Sequence, residues 1–156
     1  PLLLAAASAG FLVWNWPPAR IFMGDVGSGF LGLMLGVLAL DAARVQPVVL
    51  WGWAVLLAVF VADASVTLLR RALRGERLSA AHRSHAYQRL ARRWGGHRPV
   101  TLLVGAIDVL WLLPLALATV RWPAAAAALT ALAYAPLLVG VWCLGAGRGE
   151  DARAAR

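Results

Sequence analysis

The chain has 156 residues, 62% of them hydrophobic and only 14% charged, with a mean hydropathy of +0.73, a profile outside the range of ordinary water-soluble domains that predicts the bilayer as its solvent. Its formal charge of +8 comes from fifteen Arg and no Lys, nine of them between Arg70 and Arg98. Between apolar spans such a local cluster marks a cytoplasmic loop facing phosphates or lipid headgroups, so no nucleic-acid partner is expected, and the single Cys143 leaves no disulfide framework or cysteine metal site.

A spanning helix needs about 20 apolar residues, and that length sets the predicted elements. Residues 1–14 read as the end of a first helix. The missing Met at position 1 and the lack of a basic leader predict that the chain begins inside a longer protein, not at a signal peptide. Pro17 and Pro18 stop that helix and open a polar loop over residues 15–28, whose glycines permit positive φ and close approach of a ligand. Ser28 is expected to cap the next helix, and the free N–H groups at its start would favour an anion. Asp25 either accepts those N–H groups or holds a magnesium ion whose other ligands are phosphate oxygens and water.

The string NWPPARIFMGDVGSGFLG, Asn15 to Gly32, resembles the signature of the polyprenyl-phosphate N-acetylhexosamine-1-phosphate transferases, glycosyltransferase family 4, which includes the phospho-MurNAc-pentapeptide translocase. The resemblance implies that Asp25 is a magnesium ligand and a catalytic residue, that Phe22 lines a nucleobase pocket, that Asn15 and Gly24 contact substrate, and that Ser28 supports the loop. A rhomboid-type serine protease is not supported. Val26 stands where its GxSG motif needs Gly, and the three His all lie in a later polar loop instead of a span.

A short second helix is expected over residues 29–40, extending toward Val45, and a full span over 48–69. Asp63 lies in that span two helical turns before Arg70; an intramembrane carboxylate is costly enough to count as a functional candidate, orienting a loop Arg or shaping the substrate site, or else serving as a structural partner for a neighbouring helix. Asp108, in a later span, draws the same reading.

The second polar loop, residues 70–99, contains LSAAHRSHAYQRLARRWGGHRP. On a helix, His82, His85 and Arg89 would share one face. A zinc site lacks a third ligand nearby in sequence, so phosphate recognition by His and Arg is the more economical reading, beside a plain basic interfacial helix. The wider phrase from Val61 to Arg93 resembles the same family, in the branch that starts bacterial surface polysaccharides such as O-antigen. That resemblance implies contacts from His82, Arg83, His85 and Gln88 to the sugar nucleotide and its diphosphate, with His82 and His85 as catalytic residues; Arg89, by its helical spacing from His85, and Asp63, by its place in a span, stand beside them as substrate-binding candidates.

Two further spans, 100–120 and 123–144, joined by a tight turn at Arg121, Trp122 and Pro123, complete the chain before a polar, frayed cytoplasmic tail at 146–156. The expected fold is therefore an all-α polytopic membrane bundle of about five helices, one domain over residues 1–145. Two crossings separate the polar loops, which places both on the cytoplasmic face, where they can build one site. The function implied by the resemblance is transfer of an N-acetylhexosamine-1-phosphate from a UDP-N-acetyl sugar to undecaprenyl phosphate in the bacterial inner membrane, with Mg2+, or Mn2+ in its place. Family members also carry an Asp pair and an Asn/Asp motif upstream of the FMGD segment; neither occurs here, so the chain alone is expected to be inactive. A noncatalytic membrane scaffold or transporter half with a lipid-binding basic loop is the competing class.

Overall fold

The computed structural model describes residues 1–77 and 83–148. The chain divides into two compact units, Pro1–Leu50 and Trp51–Arg156. Among the described residues every regular element is helical.

The first unit holds α1 (Leu2–Asn15) and α2 (Gly24–Val45). The 14 residues of α1 reach roughly 21 Å, short of a hydrocarbon core of about 30 Å. The largely apolar α2, 22 residues long, is long enough to cross, and it runs to Val45 as the sequence suggests. The helix starts five residues before the expected position 29, because Gly24, at φ +66°, makes a backbone turn that L side chains resist. Asp25 and Ser28 consequently belong to the helix. Ser28 is not its cap: the N-cap position is Met23, and the Ser28 hydroxyl donates within the helix to the Asp25 carbonyl at 3.2 Å.

The second unit begins inside α3 (Val49–Leu56), followed by α4 (Ala58–Leu73), α5 (Ala86–Arg93), α6 (His97–Ile107), a π-helical turn (Asp108–Leu112), α7 (Leu113–Arg121), a 3-10 turn (Pro123–Ala125) and α8 (Ala126–Cys143). The full span expected over 48–69 is broken: α3 and α4 meet at 65°. The Tyr134 hydroxyl donates to the Ala54 carbonyl at 2.9 Å, the acceptor that an unbroken helix would offer to the Ala58 amide, so a side chain enters the ladder at the bend. The π turn arises just before Pro114, which has no N–H to give the Leu110 carbonyl. With this turn included, His97–Arg121 is one apolar span of 25 residues; the described residues hold three candidate spans, or four if the bent pair counts as one. About five were expected; α1 is too short to count.

Packing in the second unit has the pattern of a protein whose outer surface meets lipid. Its core is built from small side chains: Ala58, Ala116 and Ala133 with Val55 and Leu112 in one cluster, and Ala62, Ala86 and Ala146 with Val66 and Val141 in another. Large side chains such as Phe60, Leu110 and Leu117 point outward, Phe60 being 82% exposed. Small residues let membrane helices approach closely where lipid is no worse a solvent than protein for Leu or Phe. Gly52 shows the same closeness: a Cβ there would lie 3.4 Å from the Ala116 carbonyl of α7.

Beyond α8 the chain folds back. Gly145 and Gly147 both have positive φ, 79° and 71°, Ala146 is fully buried, and the Gly147 amide donates to the Ser84 carbonyl at 2.7 Å. Residues 146–148, which the sequence reading counts with the polar tail, are thus packed onto α4 and Ser84 within the second unit; the remainder of the tail lies outside the described residues.

Candidate active site

Each unit carries one set of candidate residues. In the first unit the chain between α1 and α2 is closed by two hydrogen bonds. The Arg20 amide donates to the Trp14 carbonyl at 2.9 Å, and Asn15 Nδ2 donates to the Ile21 carbonyl at 2.8 Å. The Asn15 side chain therefore ties the loop across its base. The loop presents Phe22, 82% exposed, and then turns at Gly24 into the helix. Asp25 sits in the first turn of α2, exposed, at the end where the helix dipole favours negative charge. Among the described residues no group of three His, Cys, Asp or Glu gathers into a metal cage. An exposed carboxylate of this kind suits a hard cation that takes most of its ligands from phosphate and water.

In the second unit the centre is Asp63, 8% exposed on α4. Its Oδ1 accepts from the Thr67 hydroxyl at 3.2 Å and from the Ala86 amide at 2.8 Å, and its Oδ2 accepts from the Tyr87 amide at 3.4 Å. These donors answer the cost of a buried carboxylate, and the amides are two of the orphan N–H groups at the start of α5. His85 is the N-cap of α5, in extended conformation at φ −65° and ψ 151°. Its amide donates to Gln88 Oε1 at 3.2 Å, its Nδ1 lies 3.5 Å from Asp63 Oδ1, and its ring stacks with Tyr87 at 5.8 Å between centroids.

This geometry corrects the sequence expectation of one helical face bearing His82, His85 and Arg89. Residues 83–85 are not helical and α5 begins at Ala86, because the carboxylate of Asp63 and the side chain of Gln88 satisfy backbone donors at that point and start the helix there. His82 lies outside the described residues. Arg83 is exposed, and its carbonyl accepts from Arg92 Nη2 at 3.1 Å. Arg89 Nη2 donates to the Arg148 carbonyl at 2.9 Å. Gln88 is spent on the helix start. Asp63, twenty-two positions before His85 in sequence, lies beside it in space, with its oxygens taken up by hydrogen-bond donors.

Arg70, Arg71 and Arg74 are held by specific partners. Arg70 is buried; it donates to the Ala146 carbonyl at 2.8 Å and to the Trp142 carbonyl at 3.1 Å, and its guanidinium lies 3.6 Å from the Trp142 ring centroid. Glu76 accepts from Arg71 Nε at 2.9 Å and Arg74 Nε at 2.8 Å. The hydrogen bond from Arg71, followed by that from Arg74, holds the Glu76 carboxyl below its ordinary range. Sequence reasoning missed Ser84, Trp142, Ala146 and Gly147. Gly145 and Gly147, which directly follow the apolar run ending at Leu144, were the signal available for the last two. Asp108, in the π turn, has its Oδ1 buried with no hydrogen-bond partner among the described residues.

The family model described as "Glycosyl transferase family 4" matches residues 1–43, the stretch that contains α1, the loop, Asp25 and nearly all of α2. A protein of Bacillus subtilis (strain 168) named "Probable undecaprenyl-phosphate N-acetylglucosaminyl 1-phosphate transferase" is 34% identical over 70% of this chain and 31% of its own length. The decaprenyl-phosphate N-acetylglucosaminephosphotransferase of Mycolicibacterium smegmatis is 34% identical over 66% of this chain and 29% of its own length. The phospho-N-acetylmuramoyl-pentapeptide-transferase of Chlamydia muridarum is 64% identical over 36 residues, 23% of this chain and 11% of its own length. The chain thus spans less than a third of the length of these curated relatives. No solved structure matches it.

Proposed function

Because this chain belongs to glycosyl transferase family 4, we propose that it forms part of a membrane enzyme that transfers a sugar-1-phosphate from a UDP-N-acetyl sugar to a polyprenyl phosphate. The single observation that carries this reading is Asp25: an exposed carboxylate in the first turn of an apolar helix, within the stretch matched by the family.

In the proposed reaction an oxygen of the lipid phosphate attacks the sugar-linked phosphorus of the nucleotide sugar. The bond from that phosphorus to the bridging oxygen breaks, UMP leaves, and a polyprenyl-diphosphate sugar forms. All reacting groups are anionic, so the chain's task is to bind them, orient them and offset their charge. Asp25 would hold Mg2+, or Mn2+ in its place, which when bound neutralises phosphate oxygens and stabilises charge on the leaving phosphate. Phe22, exposed beside it, would stack on the nucleobase, and the Gly24 backbone leaves room for close approach. His85, Arg83 and Arg89 would supply hydrogen-bond donors to the diphosphate, and His82 is proposed for the same role.

The donor is proposed to be an N-acetylhexosamine nucleotide of the GlcNAc, FucNAc or QuiNAc kind, the acceptor undecaprenyl phosphate, and the setting the cytoplasmic face of the bacterial inner membrane, where the product starts a lipid-linked surface polysaccharide such as O-antigen. The 156-residue chain alone is expected to lack activity. The test is UMP release by the full-length protein from a panel of UDP-N-acetyl sugars with undecaprenyl phosphate, with Mg2+ and with chelator. Metal-dependent release supports the reading and ranks the sugars; no release from any sugar by a folded protein favours a noncatalytic scaffold.

A further inference from the structure

We propose that Asp63 is a positioning residue for His85, acting through the backbone and not by contact with substrate; the inference rests on the transferase reading above for what His85 does. The Asp63 carboxylate is 8% exposed as a residue and already accepts three hydrogen bonds, from Thr67 Oγ1, the Ala86 amide and the Tyr87 amide. A carboxylate has about four acceptor sites, so little capacity is left for a ligand. Its partners are informative. Ala86 and Tyr87 immediately follow His85, and Thr67, one helical turn along α4, orients the carboxylate toward them.

The residue before His85 is anchored independently. The Ser84 carbonyl accepts from the Gly147 amide at 2.7 Å, and Gly147 is itself pressed onto α4, where a Cβ would stand 2.7 Å from the Thr67 carbonyl. His85 is therefore held at the backbone on both sides, with its ring flanked by Tyr87 and its Nδ1 3.5 Å from Asp63 Oδ1. Removing the negative charge from Asp63 releases the start of α5 and with it the direction in which His85 presents its imidazole, while the side chain of His85 itself stays intact. Preorganisation of this kind is how residues remote from the reacting atoms affect rate.

The experiment uses the full-length protein in lipid nanodiscs, with Asp63→Asn as the near-isosteric variant and Thr67→Val as a milder second in case the first fails to fold. Residue-resolved hydrogen exchange is read at Ala86 and Tyr87, and kcat/KM for the UDP-sugar is measured with His85 present and in a His85→Ala background. Asp63→Asn is expected to speed exchange at those amides by about tenfold, to cost about tenfold in kcat/KM beside His85, and to cost less than about twofold once His85 is gone. Thr67→Val is expected to follow the same pattern with smaller changes. Equal losses in the two backgrounds, or a loss of turnover with exchange unchanged, would overturn the proposal, since Asp63 would then act independently of His85. If the wild type releases no UMP while the exchange response appears as expected, the transferase reading fails and the anchoring stands. If the wild type turns over and neither readout responds, the anchoring fails and the transferase reading stands.

Discussion

Arg70 of α4 lays its guanidinium 3.6 Å from the ring centroid of Trp142 in α8 while donating to the Trp142 carbonyl. One side chain thus caps the C-terminal end of α8, where carbonyls lack intrahelical partners, and covers an aromatic face with a cation. The second bond, to Ala146, extends the clamp into the chain that folds back against Ser84.

The clamp predicts an asymmetry between two substitutions. Arg70→Ala removes both charged hydrogen bonds and is expected to cost about 2–3 kcal/mol in unfolding free energy, whereas Arg70→Lys keeps the charge but not the planar fork and should recover only part of it. Denaturant unfolding in mixed micelles, followed by Trp fluorescence, checks both; equal behaviour of Lys and wild type would show that charge alone suffices.

Gly147 is a position where both backbone and space demand glycine. Its φ is +71°, and an added Cβ would meet the Thr67 carbonyl at 2.7 Å and the Thr67 Cα at 3.0 Å. Gly95 has the same φ of +71° but nothing within 4 Å. Gly95→Ala should therefore cost only the left-handed backbone penalty, about 1–2 kcal/mol, and Gly147→Ala clearly more. Thermal unfolding of the two variants side by side measures the difference, which is the steric part.

Glu76 sets a local pH dependence. Its carboxyl is held below the ordinary value of 4.5 by Arg71 and then Arg74, so its stabilising contribution is complete above the unfolded-state pKa and is lost as pH falls through the lower folded-state value. Hydrogen exchange at residues 73–77 should stay slow from neutral pH down past the usual Glu range and rise only in stronger acid, after correction for intrinsic exchange. Glu76→Gln should exchange fast at every pH.

The bend between α3 and α4 depends on Tyr134. Tyr134→Phe leaves the Ala54 carbonyl without the hydroxyl that now donates to it, and the expected loss is about 1 kcal/mol of stability with the core otherwise unchanged. An unfolding midpoint equal to wild type would mean that the bend finds another donor.

The sequence showed the apolar runs and the two motif-bearing stretches clearly, because length and hydropathy follow directly from the thickness and polarity of the bilayer. It placed the start of α2 too late, since Gly24 and Gly27 read as loop until their backbone geometry is seen. The break at Leu57 was invisible: no Pro or Gly marks it, and the bond that serves it comes from Tyr134, eighty positions beyond Ala54. Asp63 was singled out as costly and functional, but its partners Ala86 and Tyr87 are backbone amides, which carry no signature in a sequence. For the same reason the packing of Ala146 and Gly147 onto α4 and Ser84 could not be read from a stretch that looks like a polar tail.

The central claim is that Asp25 holds a divalent cation together with a sugar nucleotide. The most direct measurement is calorimetric binding of a UDP-N-acetyl sugar to the full-length protein, wild type and Asp25→Asn, with and without Mg2+. Binding that requires the metal and weakens at least about tenfold in the variant is the predicted result. Binding of equal strength with and without Mg2+, or unchanged by Asp25→Asn, would contradict it.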